Sequence, residues 1–365
     1  MPTPFRANPR RGSPLPPRAP RPGARACSPG RHWAEAVASE LEREPADVVA
    51  ADFELVGALI AAEAAHVPAA ALVHAIPWRP TSGIPPRGSG DWPEPTPRAI
   101  ARDEIGRARW TEIQVAQGLP SVNRARAQAG LAPLRAPFEQ YDLAERVLVL
   151  TPAAFDFAAD HLPANVRYVG TPFDDAGAPA WDSSWPADDA RPLVVASLST
   201  LQQGQGPILK RVCAALGHLP VRALVTLGPA LDSAGFIAPP NVLLETFVPH
   251  AAVLPRAAAM VTQCGLGTTM KALAHGVPLV CIPLLGDQPD NAARVVARGA
   301  GVRPARDATE EQLRGAIHQV LTDPRFREGA RRFASALAIE DGTQTAAEEL
   351  EALAGQRHLP EPPVG

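Results

Sequence analysis

From Trp33 onward the chain alternates between two hydrophobic rhythms. WAEAVASELERE, closed by Pro45, repeats its apolar residues at the helical period and predicts an amphipathic helix. ADVVAADF (46–53) is a nearly unbroken apolar run, the pattern of a parallel strand covered on both faces. LVGALIAAEAAH predicts a second helix and PAAALVHA a second buried strand, a β-α-β alternation that indicates an open parallel sheet. A loop rich in Pro, Gly and Trp follows over 76–97, and long loops in compact domains are usually functional or mobile. Helices are then predicted over 102–117 and 122–129, with short strands in RVLVLTPAAFDF and VRYVGTPFDD.

The alternation stops at a polar, Pro- and Ala-rich stretch, 174–191, which marks a domain boundary, and resumes beyond it. LVVASLST, RALVTLG, NVLLETFV, AAMVTQ and PLVCIP read as strands. GPILKRVCAALGHL, AVLPRA, GTTMKALAHG, DNAARVVARGAG, TEEQLRGAIHQVLTD, GARRFASALA and TQTAAEELEALAG read as helices. This is one doubly wound α/β domain over 192–354, preceded by a partial α/β domain over 32–173 and followed by a tail, 355–365. Residues 1–31 are dense in Pro and Arg without apolar periodicity, so they bury too little surface to offset ordering entropy and are expected to be disordered. The alternatives for that segment are a nucleic-acid-binding arm and a misassigned reading start.

Composition narrows the class. The chain has 365 residues, 46% hydrophobic and 20% charged, with net charge −3, which argues against nucleic-acid or anionic-membrane partners. Its four cysteines (Cys27, Cys213, Cys264, Cys281) are widely spaced and form no CxxC pair, so they read as thiols of a reducing compartment and not as a disulfide frame or a zinc site. No apolar run is long enough to span a bilayer and no signal peptide is legible, so a cytoplasmic protein without integral membrane association is expected.

The chemistry concentrates in TQCGLGTTMKALAHGVPLVCIPLLGDQPDNAARV, beginning at Thr262. A buried strand ends at Gln263, Gly265 and Gly267 form a tight turn, and a helix opens at Thr268. Backbone amides and the helix dipole favour an anion there, and Thr268 and Thr269 suit both helix capping and phosphate contact. A plain β-α turn with glycines for packing explains the same residues. The loop LLGDQPDN follows the next strand and sets Asp287 and Gln288 where ligands of open α/β sheets bind. An acid beside an amide suits the paired hydroxyls of a sugar; otherwise Asp287 and Asn291 simply cap the next helix.

Over about 192–350 the sequence resembles the donor domain of family 1 glycosyltransferases, and within it the bacterial enzymes that glycosylate macrolides and other natural products. The motif T-H-(C/G)-G-x-G-T-x-x-E-A-L-x-x-G-V-P-x-(V/L)-x-(V/I)-P-x-x-x-D-Q, with the following P-x-N-A, matches nearly position by position. The resemblance implies a GT-B fold of two Rossmann-like doubly wound domains, with the first strands of the N-terminal one missing. It also implies metal-independent, inverting transfer of a hexose from a UDP- or dTDP-sugar to a hydroxyl of a small hydrophobic acceptor. No cofactor is implied beyond that donor substrate.

Carried over residue by residue, Ser199 and Thr200 match the phosphate-contacting turn after the first donor-domain strand. Phe247 and Val248, in FVPH, match the element that holds the nucleobase, although Phe247 also fits ordinary core packing. Gln263, Cys264, Gly265, Gly267 and Thr268 match the diphosphate cradle, and Asp287 and Gln288 the sugar-hydroxyl pair. Two positions depart: the family's phosphate-binding histidine falls on Gln263, which cannot carry a proton's charge, and its ribose-binding glutamate falls on Lys271.

In the N-terminal half Asp52 matches the aspartate that orients the family's base histidine, and that histidine is not found. A strand-end carboxylate bonded to local backbone is the other reading of Asp52. The loop 76–97 is expected to cover the acceptor, with Trp78 and Trp92 either as an apolar wall or as packing residues. The rival functions are a nucleotide-sugar-binding homologue without turnover and a nicotinamide-dependent oxidoreductase. The second is disfavoured because no GxGxxG follows an N-terminal strand.

Overall fold

The computed structural model describes residues 29–76, 79–173, 180–186, 188–200 and 202–356. The Pro/Arg segment expected over 1–31 lies outside these residues up to 28, as do Cys27, Trp78, part of the 174–191 stretch and the tail beyond 356. The first sheet contains β1 (Val49–Asp52), β2 (Ala69–Val73), β3 (Arg146–Val149) and β4 (Val166–Tyr168), all parallel and in chain order. Around it lie α1 (Pro29–Arg43), α2 (Val56–Ala64), α3 (Pro97–Gln117), α4 (Leu119–Gln128) and the short α5 (Glu139–Asp142). Helix α2 is buried along Gly57–Ala62, as its all-round apolar sequence requires. Helix α3 starts five residues before the expected 102, because Thr96 accepts the Ala99 amide and Pro97 takes the first helical position.

The second sheet contains β5 (Leu193–Ser197), β6 (Arg222–Thr226), β7 (Val242–Glu245), β8 (Ala257–Thr262), β9 (Leu279–Cys281) and β10 (Gly301–Val302). Its order is β10-β9-β8-β5-β6-β7 with every pairing parallel, so the winding reverses between β5 and β8. The helices are α6 (Gly206–Gly217), α7 (His250–Val253), α8 (Leu266–Ala274), α9 (Gln288–Ala297), α10 (Glu310–Thr322), α11 (Pro324–Leu337) and α12 (Gly342–Gln356). Alternate residues of β5 feed opposite faces: Leu193 and Val195 join one core, Val194 and Ala196 the other.

Two elements differ from the sequence reading. The segment ending in ARGAG leaves the helix at Ala297 and its last residue opens β10, and a Cβ on Gly301 would lie 2.2 Å from the Leu279 carbonyl oxygen, so glycine is what lets β10 pair with β9. Helix α12, grouped by sequence with 192–354, packs on the first sheet instead: Leu353 is buried with Ala70, Leu148 and Val169. Glu349 reinforces this, accepting Arg146 Nε at 2.6 Å. In the stretch before β5, Trp181 and Trp185 pack edge to face, 6.2 Å apart, against the core that Leu193 and Val195 join. No described helix is long and apolar enough to cross a membrane.

Candidate active site

The reversal sets the carboxyl ends of β5 and β8 side by side, with Ser197 in register with Thr262. In an open α/β sheet this crevice is where ligands bind. Both expected phosphate turns leave from it: Ser199–Thr200 after β5 and Gln263–Gly267 after β8. The first is anchored by Gln205, whose Nε2 donates to the Ser199 carbonyl at 3.1 Å; Ser199 is buried and Thr200 exposed.

In the second turn Cys264 adopts φ 66°, a left-handed conformation rare outside glycine. Asn291, fully buried, holds it there: its Nδ2 donates to the Cys264 carbonyl at 2.9 Å and to Asp287 Oδ2 at 3.0 Å. Burial, with Cys281 alongside, pushes the Cys264 thiol up, so it stays neutral and packs as an apolar group. Gly265 is the N-cap of α8, and the first bond within the helix runs from Thr269 N to Gly265 O at 3.0 Å. The amides of Leu266, Gly267 and Thr268 therefore have no intrahelical acceptor, the arrangement that favours an anion at a helix N-terminus. The expected threonine caps are not formed. Thr268 lies inside the first turn, and Thr269 Oγ1 donates back to Gly265 O at 2.9 Å. Gln263 is 8% exposed, with Oε1 accepting from Thr262 Oγ1 at 3.2 Å.

Asp287 is the N-cap residue of α9 by position, yet its side chain does not cap; Asn291 holds it at the mouth of the turn. Gln288 is 5% exposed and turned inward, its Oε1 accepting the Leu284 amide at 2.8 Å and the Leu285 amide at 3.1 Å. Its Nε2 donates to Gln203 Oε1 at 3.1 Å, tying the loop after β9 to the loop after β5. Phe247 is 73% exposed, which rules out the core-packing reading, whereas Val248 behind it is buried. Lys271 is half-buried in the last turn of α8, away from the open amides.

At the carboxyl end of the first sheet, Asp52 has a partner that the sequence reading missed. His74 Nδ1 lies 2.7 Å from Asp52 Oδ2, and the other oxygen, Oδ1, accepts the Glu54 amide at 2.8 Å. Asp52 thus accepts a local backbone amide through one oxygen and lies beside an imidazole through the other. The signal was available in the register: Asp52 pairs with Leu72, and His74 lies two residues on, the same face of the sheet by strand periodicity. The His74 ring packs 5.2 Å from that of Phe53. Phe53 in turn lines a cleft of about 380 Å³ with Trp110, Gln114, Phe138 and Tyr141. Burial, then the charges of Asp52 and Glu54, push the Tyr141 phenol up, so it remains a donor, 2.6 Å from the Phe53 carbonyl oxygen.

The two halves are locked through α9. Asp290 accepts Gly88 N at 2.6 Å and Gly90 N at 2.9 Å, fixing the loop that leaves β2. Burial outweighs those two amides and raises the Asp290 carboxyl. One and two turns further, Arg294 pairs with buried Asp156, and the Arg298 guanidinium lies 5.5 Å from the Phe155 ring centroid. Trp92, read as an acceptor wall or a packing residue, has its ring 6.0 Å from the Arg303 guanidinium at this junction. Among the described residues no group of three His, Cys, Asp or Glu side chains is placed to hold a metal.

Two parallel, Rossmann-like sheets whose carboxyl ends carry these residues define a GT-B protein. Residues 210–353 match the family model "Erythromycin biosynthesis protein CIII-like, C-terminal domain". The chain is 31% identical over 321 residues to 4'-demethylrebeccamycin synthase of Lentzea aerocolonigenes, covering 86% of this chain and 75% of that protein. It is 34% identical over 206 residues to demethyllactenocin mycarosyltransferase of Streptomyces fradiae, covering 53% of this chain and 44% of that protein. The solved glycosyltransferase of kitacinnamycin superposes with a TM-score of 0.71 at 24% identity, over 93% of this chain and 85% of that one, a likeness of fold. The chain belongs to the bacterial natural-product glycosyltransferases of family 1.

Proposed function

We propose that this chain transfers a hexose from a UDP- or dTDP-sugar to a hydroxyl of a small hydrophobic natural product, with inversion and without a metal. The observation that carries the reading is the open first turn of α8, three amides without intrahelical acceptors beside the Ser199–Thr200 turn. Such amides, preorganised toward a departing diphosphate, stabilise its charge as an oxyanion hole does. Exposed Phe247 supplies a face for the nucleobase, with the Val248 backbone beside it. Asp287 meets sugar hydroxyls at the mouth of the turn, and Gln288 Nε2 keeps a second hydrogen for the same purpose. The relatives named demethyllactenocin mycarosyltransferase and 4'-demethylrebeccamycin synthase support sugar transfer to a natural product. The buried thiols Cys213, Cys264 and Cys281 fit a reducing cytoplasm.

The test is incubation of the purified chain with UDP- and dTDP-hexoses and a polyketide and flavonoid panel in EDTA, following nucleoside diphosphate release and glycoside mass. A glycoside of opposite anomeric configuration to the donor supports the reading. Saturable donor binding with no glycoside from any acceptor identifies a binding protein without turnover and overturns it.

A further inference from the structure

We infer that His74, held by Asp52, is the group that removes the acceptor's proton. This rests on the transfer reading above and adds to it a catalytic residue from the end of β2. The Asp52 carboxylate is fixed at both oxygens, by the Glu54 amide at 2.8 Å and by His74 Nδ1 at 2.7 Å. With Nδ1 protonated toward a carboxylate, the imidazole presents its lone pair at Nε2, and Asp52 balances the charge once that nitrogen is protonated. The ring is positioned as well as charged, because it packs against Phe53 at 5.2 Å with the planes tilted by 59°.

Two observations relate this imidazole to an apolar cleft and to the donor turn. On one side, Phe53 itself lines the 380 Å³ cleft, whose Trp110, Phe138 and Tyr141 offer an apolar wall for a ring system. On the other side, Ile76 is buried in the same core cluster as Cys264 and Leu266 of the α8 turn. His74 precedes Ile76 by two residues, a reach of at most about 7 Å of chain. The His74 side chain itself is 55% exposed, so the imidazole is open to solvent although Phe53 and Ile76 beside it are buried.

The step balances without a further reactant. The acceptor oxygen forms a bond to the anomeric carbon as its proton passes to His74 Nε2. The bond from that carbon to the diphosphate oxygen breaks, its electron pair leaving on the diphosphate. The imidazolium then returns its proton to solvent. Asp52 is a positioning residue, since it acts through His74.

The experiment uses the full chain with a donor and an acceptor on which the wild-type protein turns over, and compares His74→Ala, His74→Gln and Asp52→Asn. General-base loss predicts a fall in kcat of about 10²–10⁴-fold in both His74 variants. Acceptor KM and donor Kd stay within about threefold of wild type, because 1.4 kcal/mol, a tenfold change, is what a lost binding contact of ordinary strength would produce. Added imidazole accelerates His74→Ala and leaves wild type unchanged. Asp52→Asn lowers kcat with KM preserved and is not rescued by imidazole. A His74→Gln protein, folded by circular dichroism, that keeps kcat within threefold of wild type overturns the inference and makes His74 a surface imidazole. Failure of the wild-type chain to transfer to any acceptor overturns the transfer reading itself and this inference with it, so the two failures are told apart by the wild-type control.

Discussion

Asp156, which follows β3, and Arg294, in the last turn of α9, form a buried ion pair across the two halves, with Arg294 Nε donating to Asp156 Oδ1 at 2.9 Å. Tyr168 donates its hydroxyl to the other carboxylate oxygen at 2.5 Å, and the Phe157 ring lies 4.5 Å from the guanidinium. Removing one member strands the other charge in an apolar junction, which costs about 3–5 kcal/mol. Arg294→Met is therefore expected to lower the chemical-denaturation midpoint sharply. An Asp156→Leu/Arg294→Met double variant recovers much of that loss, because no charge is left uncompensated.

Asn291 couples two parts of the proposed donor site through a single amide group. Asn291→Ala leaves the buried Cys264 carbonyl without its donor and Asp287 without its tether. A loss of about 1–3 kcal/mol in stability is expected. Donor KM rises as well, measured by steady-state kinetics at saturating acceptor. A variant that loses stability but binds donor normally would separate the turn's strain from its function.

Gln263→His tests the departure within the cradle. An imidazolium beside the diphosphate adds a charge-assisted hydrogen bond worth about 1.5 kcal/mol, so kcat/KM for the donor rises roughly tenfold. An unchanged or reduced kcat/KM would mean that this position does not face the phosphates.

Glu63 supplies a pH signature of the first domain. Burial raises its carboxyl, but hydrogen bonds from Arg126 and Gln140 and the Arg126 charge outweigh burial and hold it below the ordinary value of 4.5. A depressed folded pKa means the unfolded chain binds the proton more readily, so this contribution is full above pH 4.5 and is lost as pH falls through the folded value. Denaturation midpoints of wild type are expected to fall more steeply below pH 4.5 than those of Glu63→Gln.

What was legible in the sequence follows from where the determinants lie along the chain. The turn from Thr262 to Gly267 and the loop at Asp287 are short contiguous segments whose glycines and polar residues follow buried strands, so pattern alone located them. Exposure of Phe247 was not legible, because an aromatic next to a strand fits core or crevice equally well. The Asp52–His74 pair, the Asp156–Arg294 lock and the Gln203–Gln288 tie join residues distant in sequence, and only strand register and helix packing bring them together. Helix α12 shows the same limit: its apolar stripe announced a buried face but not that the first sheet would cover it.

The central claim, a nucleotide-sugar site built on the open amides of α8 and the exposed ring of Phe247, is tested most directly by calorimetric titration. UDP and dTDP would be titrated into wild type and Phe247→Ala in EDTA. Saturable binding without divalent cations is expected, weakened about fivefold or more in Phe247→Ala by loss of base stacking worth about 1–3 kcal/mol, with thermal unfolding unchanged. Absence of binding in EDTA, or binding indifferent to Phe247, would contradict the account.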